Sequence, residues 1–170
     1  MSMKKTVLTF GFLSGAVSAA MMLATVPFID RIGFDRGAIV GYTAIVLSFL
    51  LVFFGIRSYR EQAGGRLTFG RGFTVGLLIT LISCACYVVT WEFVYFNLMP
   101  GFTEKWAAYT METMRASGAT QQAMDATMQQ LRHYKEIYDN PFLNAAVTLV
   151  EPLPIGLLVT AISAAVLRRK

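Results

Sequence analysis

The stretch 7-VLTFGFLSGAVSAAMMLATVPF-28 runs for 22 positions without a charged residue. A helix rises about 1.5 Å per residue, and about 20 mostly apolar residues cross the ~30 Å hydrocarbon core of a bilayer. Three more stretches meet that length. Residues 38–56 are also uncharged, residues 73–96 contain one acid, Glu92, and residues 142–167 contain one acid, Glu151, inside Glu151-Pro152-Leu153-Pro154. None alternates polar and apolar over about ten residues, as a barrel strand would. The four runs predict an all-α polytopic membrane protein: a four-helix transmembrane bundle forming one domain over residues 1–170.

Composition agrees. Of 170 residues, 55% are hydrophobic and 15% charged, against about a quarter charged in soluble domains. Mean hydropathy is +0.55. This apolar mass excludes a disordered chain, and two cysteines exclude a disulfide-stapled miniprotein. Lys4 and Lys5 before an apolar run, with small residues at Val17-Ser18-Ala19, have the outline of a signal peptide. The run continues through Met21, Met22, Leu23 and Val26 to Phe28, longer than a signal core, so it reads as an uncleaved first span.

Basic residues set the orientation. With the N-terminus inside, Lys4, Lys5, Arg57, Arg60, Arg66, Arg71, Arg168, Arg169 and Lys170 are cytoplasmic, nine cations against the single acid Glu61. The other side has six cations and seven acids. Both termini are therefore expected in the cytoplasm. These cations flank spans in short clusters, so they read as topology determinants and contacts for lipid headgroups; no nucleic-acid partner is implied.

Between the first two spans, residues 29–37 carry Asp30-Arg31 and Asp35-Arg36, which local ion pairing explains. Gly64-Gly65 reads as a turn. The substantial non-membrane piece is residues 100–141, expected outside as a helical hairpin. Thr103 is a candidate cap for a first helix, with Glu104 in its first turn and Trp106, Tyr109, Met111 and Met114 along it, stopping near Ser117-Gly118. Thr120 caps a second, whose Met124, Met128, Leu131, Tyr134 and Tyr138 share a stripe, and Asn140-Pro141 closes it. The stripes either bury each other or offer a partner surface built on Trp106, Met111, Met114, Met124 and Met128, since flexible methionines suit adaptable contacts.

Residues for catalysis are few, and no enzyme activity, cofactor or metal is expected. His133 is a lone histidine on the polar side of its helix. Cys84 and Cys86 point about 200° apart on a helix and cannot pair. Ionisable groups inside spans are costly and mark candidate sites. Glu92 lies about 28 Å and Glu151 about 24 Å above the cytoplasmic edge at a helical rise, so the two form a candidate acid pair sharing a proton or cation. Against this, Glu151 could cap a helix restarting at Pro152. Small residues recur every fourth position at Gly11, Gly15 and Ala19, at Gly72, Gly76, Thr80 and Cys84, and at Gly156, Thr160 and Ala164. Such faces pack helices closely, within one chain or between two copies.

Several of these strings resemble a known family. Gly11 with Ser14-Gly15, Gly41-Tyr42, Phe54-Gly55-Ile56-Arg57-Ser58-Tyr59-Arg60, Phe69-Gly70 with Gly76-Leu77-Leu78-Ile79, and Tyr87 with Trp91-Glu92 carry the likeness. So do Pro141, Glu151-Pro152 with Pro154, and the basic tail. Over essentially the whole chain this is similar to the bacterial membrane family filed as domain of unknown function 4199. The resemblance implies four spans in a bacterial inner membrane and assigns no activity. Two function classes follow: a non-enzymatic interaction module whose hairpin binds a second copy or a membrane or periplasmic protein, and a minimal solute, ion or proton-coupled transporter using Glu92 and Glu151.

Overall fold

The computed structural model of the chain describes residues 2–169, so Lys170 of the basic tail lies outside the described residues. The elements are helical: α1 (Met3–Thr25), a 3-10 turn (Val26–Phe28), α2 (Ile29–Ile32), α3 (Phe34–Gln62) and α4 (Phe69–Phe93), which continues through a five-residue π-type segment, Val94–Leu98. Then follow α5 (Phe102–Ala116), α6 (Gln121–Tyr138), α7 (Pro141–Val150) and α8 (Pro152–Leu167). Four stretches are long and apolar enough to cross a membrane: Met3–Ile32, Phe34–Gln62, Phe69–Leu98 and Pro141–Leu167. Each contains one of the apolar runs read from the sequence and extends it at both ends or at one.

Large apolar side chains such as Phe12, Ile39, Val89, Phe142 and Val166 face outward, while Ser14, Ser48, Thr80, Ser83 and Thr160 are buried. That distribution suits lipid. Between helices surrounded by hydrocarbon the hydrophobic effect supplies no drive, so small residues and interhelical hydrogen bonds hold the contact.

Helix α4 is the centre of this packing. Its Gly72, Gly76 and Thr80 oppose Ala164, Thr160 and Gly156 of α8, so the two faces run antiparallel in register. A Cβ on Gly76 would lie 2.7 Å from Thr160 Cγ2. Thr80 Oγ1 meets Thr160 Oγ1 at 3.0 Å and the Gly156 carbonyl at 3.4 Å. The register ends in a two-way backbone bridge between Leu67 and Arg169. On its other side α4 receives α1: Gly11 lies against Ile82 and Gly15 against Cys86. Ser14 Oγ donates to the Ser48 carbonyl (2.8 Å), so Ser83 Oγ, also 2.8 Å away, must donate to Ser14. One serine thus ties α1, α3 and α4 together. The Gly11–Gly15 face is an internal contact, with Ala19 half-buried one turn above.

Two local readings change. Helix α5 starts at Phe102 behind Gly101, whose φ of 76° gives the left-handed turn, and no side chain caps it. Thr103 is therefore not the cap; it lies buried inside the first turn, where its hydroxyl reaches Glu104 (3.2 Å) and Tyr95 (3.4 Å). In the first connection only Gly33 (φ 78°) interrupts the helix. Its acids reach across to α5, since Lys105 Nζ lies 3.6 Å from Asp30 and Tyr109 donates to Asp35 at 2.7 Å. The expected local Asp-Arg pairing gives way to contacts that dock α5. Thr120 does cap α6, accepting from the Ala123 N–H at 3.3 Å, and both Gly64 and Gly65 have left-handed φ.

A Cβ at Gly15 would sit 2.5 Å from Cys86 Cβ. Gly15→Leu is expected to lower the melting temperature in detergent, by an overpacking penalty of about 1–3 kcal/mol, while light scattering reports an unchanged oligomeric state. A lost dimer at constant melting temperature would contradict an internal role for this face.

Candidate functional site

Moving along α4 from Gly72 in steps of three or four, the residues change from small to aromatic: Gly76, Thr80, Ser83, then Tyr87, Trp91 and Tyr95. Where glycine and threonine stand, helices approach closely; where rings stand, they are held apart. The opened region is a cavity of about 460 Å³. Met21 and Met22 of α1, Tyr42 and Ile45 of α3, and Tyr87 and Trp91 of α4 form its sides. Trp106 of α5 with Tyr134 and Tyr138 of α6 close one end.

The remaining wall is the break in the fourth span. Pro152 and Pro154 lack the N–H groups that would continue the ladder, and the helix divides into α7 and α8 at Glu151. Pro152 takes the first position of α8, as its pre-set φ favours. The Glu151 side chain makes no capping bond to α8. Instead Tyr87 donates to its Oε2 at 3.2 Å, and the carboxylate lines the cavity.

Asn144, fully buried, fixes α7 beside α4. Its Oδ1 accepts from Trp91 Nε1 (3.1 Å) and from the Thr148 hydroxyl (3.0 Å), and its Nδ2 donates to the Tyr138 carbonyl (2.9 Å). A single amide therefore sets the Trp91 ring, α7 and the end of α6 relative to one another.

The pair α5–α6 lies across this end of the molecule. Trp106 packs edge-on against Tyr134 with centroids 6.0 Å apart, and Lys135 Nζ is 2.9 Å from Glu104, so the start of α5 meets the end of α6. Met124 and Leu131 are buried, and Met111, Met114 and Met128 are half-buried. The ring of Phe102 packs on Phe34 (5.7 Å) and Trp91 (5.4 Å), and Tyr95 donates to Asp139 at 3.0 Å. Lys135 joins Asp139 and Glu104 in one cluster; hydrogen bonds to those two carboxylates raise its pKa, and the bond from Lys135 lowers that of Glu104.

The structure brings Glu151 into the cavity and leaves Glu92 off it. Five residues beyond Tyr87, Glu92 is about 140° farther around α4 and about 7 Å higher; its Oε1 is buried with no hydrogen-bond partner among the described residues. The two candidate acids are thus not brought together on the cavity wall. His133 is exposed, 3.7 Å from Glu136. Among the described residues no group of three or more His, Cys, Asp or Glu side chains is placed to hold a metal ion. The aromatic residues that sequence reasoning did not assign to a site are Tyr42, Tyr87, Trp91, Tyr134 and Tyr138. A signal existed in the four-residue spacing of Tyr87, Trp91 and Tyr95, the aromatic continuation of the glycine face.

Residues 9–169 match the family model described as Protein of unknown function (DUF4199). The chain belongs to that family. No curated protein and no solved structure matches it. The geometry of this DUF4199 chain is therefore what informs on its role.

The Lys135 cluster is open to water, so its worth is that of a surface network, below about 1 kcal/mol. Glu104 titrates below its ordinary value, so its contribution is present at neutral pH and lost as pH falls through its lowered pKa. Lys135 titrates above its ordinary value, so its share disappears only at strongly alkaline pH. Hydrogen exchange across α5 and α6 is expected to be flat from pH 6 to 9 on intrinsic-rate correction and to quicken under acid. Lys135→Met should remove that acid dependence; a dependence unchanged in the variant would assign it elsewhere.

Proposed function

We propose that this chain is a non-enzymatic, four-span protein of a bacterial inner membrane that binds a small molecule in the cavity at the Glu151 break. Both termini are cytoplasmic, residues 100–141 form an extracytoplasmic hairpin, and the hairpin serves the single membrane domain as the roof of the cavity. The charge asymmetry of the loops supports the orientation, and the outward apolar side chains support a lipid surround.

One observation carries the binding reading: all four spans, the fourth through Thr148 and Glu151, and both hairpin helices line one cavity of about 460 Å³, within the ~300–1,000 Å³ of ligand pockets. Its wall is mostly apolar, with few polar groups converging on it, as ligand sites are built. A carrier built on Glu92 and Glu151 together is not favoured, because only Glu151 faces the cavity. The polar groups on the wall are the Glu151 carboxylate, the phenols of Tyr42, Tyr87, Tyr134 and Tyr138, and the hydroxyls of Ser18, Thr25, Thr103 and Thr148, which suit holding a ligand.

Gly41 lines the cavity, and a Cβ there would meet no atom within 4 Å. Gly41→Phe is thus expected to fill the space without unfolding the protein. Both tryptophans, Trp91 and Trp106, line the cavity and report on it. In nanodiscs the neutral quencher bromobenzene should quench their fluorescence with a saturable component that Gly41→Phe removes at unchanged melting temperature. Linear quenching, identical in the two proteins, would overturn the cavity reading. Orientation is checked by a cysteine at the exposed Gln122, which should react with an impermeant maleimide from the periplasmic side only.

A further inference from the structure

We propose that the cavity selects a lipophilic organic cation, an amine or quaternary onium group carrying apolar bulk, with Glu151 as its counter-charge and the surrounding rings as its cage. This names the ligand class of the binding site above and rests on that reading.

The charge on the wall is one-sided. Among the described residues, Glu151 lines the cavity and no lysine or arginine does. Of the hairpin's basic residues, Lys135 lies 2.9 Å from Glu104 and 2.6 Å from Asp139 and Lys105 lies 3.6 Å from Asp30, while Arg115 and Arg132 are not on the cavity wall. An anionic ligand would therefore meet a carboxylate and no opposing charge. A cationic one would meet the carboxylate with nothing to displace.

Glu151 is also under-used. An ionised carboxylate has about four lone-pair sites, and among the described residues it accepts only the Tyr87 hydroxyl and forms no ion pair. The residue is exposed on the cavity wall, so its carboxylate is open to a charged partner entering the cavity. The position that such a partner would occupy is the cavity itself.

Ring faces supply the second half of the recognition. Tyr42, Tyr87, Trp91, Trp106, Tyr134 and Tyr138 come from four different helices to one space. Cations bind over the faces of Trp and Tyr, most strongly where the contact is desolvated. Quaternary ammonium groups are recognised in such aromatic cages. A bare metal ion fits the site poorly: Ca²⁺ takes about six to eight oxygen ligands, and no group of three or more His, Cys, Asp or Glu is gathered among the described residues. The volume and apolar wall match an ion that carries its own hydrophobic bulk.

Tetraphenylphosphonium and tetraphenylborate have nearly the same shape and opposite charge, which makes them the probe pair. In nanodiscs of zwitterionic phosphatidylcholine, tetraphenylphosphonium should quench Trp91 and Trp106 saturably and tetraphenylborate should not. Glu151→Gln should weaken the phosphonium by about tenfold or more, and Tyr42→Leu, which removes one exposed ring, by a few-fold. Equal binding of the two ions, or an affinity indifferent to Glu151→Gln, with bromobenzene still saturable, would overturn the cation assignment and leave the cavity reading intact. If none of the three probes quenches saturably, the cavity reading itself fails. The comparison of the two ions on the unaltered chain does not depend on any variant folding.

Discussion

Close approach of α4 and α8, with Gly72 against Ala164, Gly76 against Thr160 and Thr80 against Gly156, is the constraint from which the rest of the arrangement follows. Glycine at these points lets two backbones come near enough for a threonine hydroxyl to reach across, and in lipid such contacts replace the hydrophobic drive that water would supply. The same helix takes α1 through Gly11 and Gly15 and, through Ser83, joins the serine that also binds α3. Once one end of the molecule is packed this tightly, the larger residues farther along α4 cannot be accommodated by drawing the helices together. Tyr87 and Trp91 stand there instead, on the wall of the cavity.

The break at Glu151 works with that taper. Two prolines remove backbone donors just where the close contact with α8 ends, so the fourth span is free to change path and α7 docks separately, through Asn144. The freed segment turns its acid toward Tyr87 rather than toward its own helix terminus. A capping role would have left this carboxylate bound to α8's first N–H groups; its position on the cavity wall makes it available to something else.

The two ends of the molecule are held by different forces. Interdigitated small residues and buried hydroxyl pairs hold one end, and rearranging them would require packed helices to part. Rings, one buried amide and water-exposed ion pairs hold the other. Exposed pairs contribute little each, so α5 and α6 belong to the part of the structure that opens most readily.

How much of this was legible in the sequence follows from which properties are local. An uncharged run of 22 residues has one physical reading in a chain this apolar, so the four spans were visible at once, and so was the cap at Thr120, which depends only on the three residues after it. The cap at Thr103 was misread because a left-handed glycine two residues earlier already turned the chain and Tyr95 drew the hydroxyl inward. Small-residue faces could be listed from their spacing, but which face met which could not. Glu151 stood out as an intramembrane acid; its phenol partner did not, because aromatic residues near a span end are expected merely as interface anchors. The sequence by itself determined the helices, their apolar lengths and the place where the fourth one breaks, because these depend on residues within a few turns. Only the tertiary structure decided that Glu151 lines the cavity while Glu92 does not, and that six rings from four helices line the same space. That is settled by helix rotation and axial shift, which the glycine contacts of α4 set and no single stretch of sequence contains.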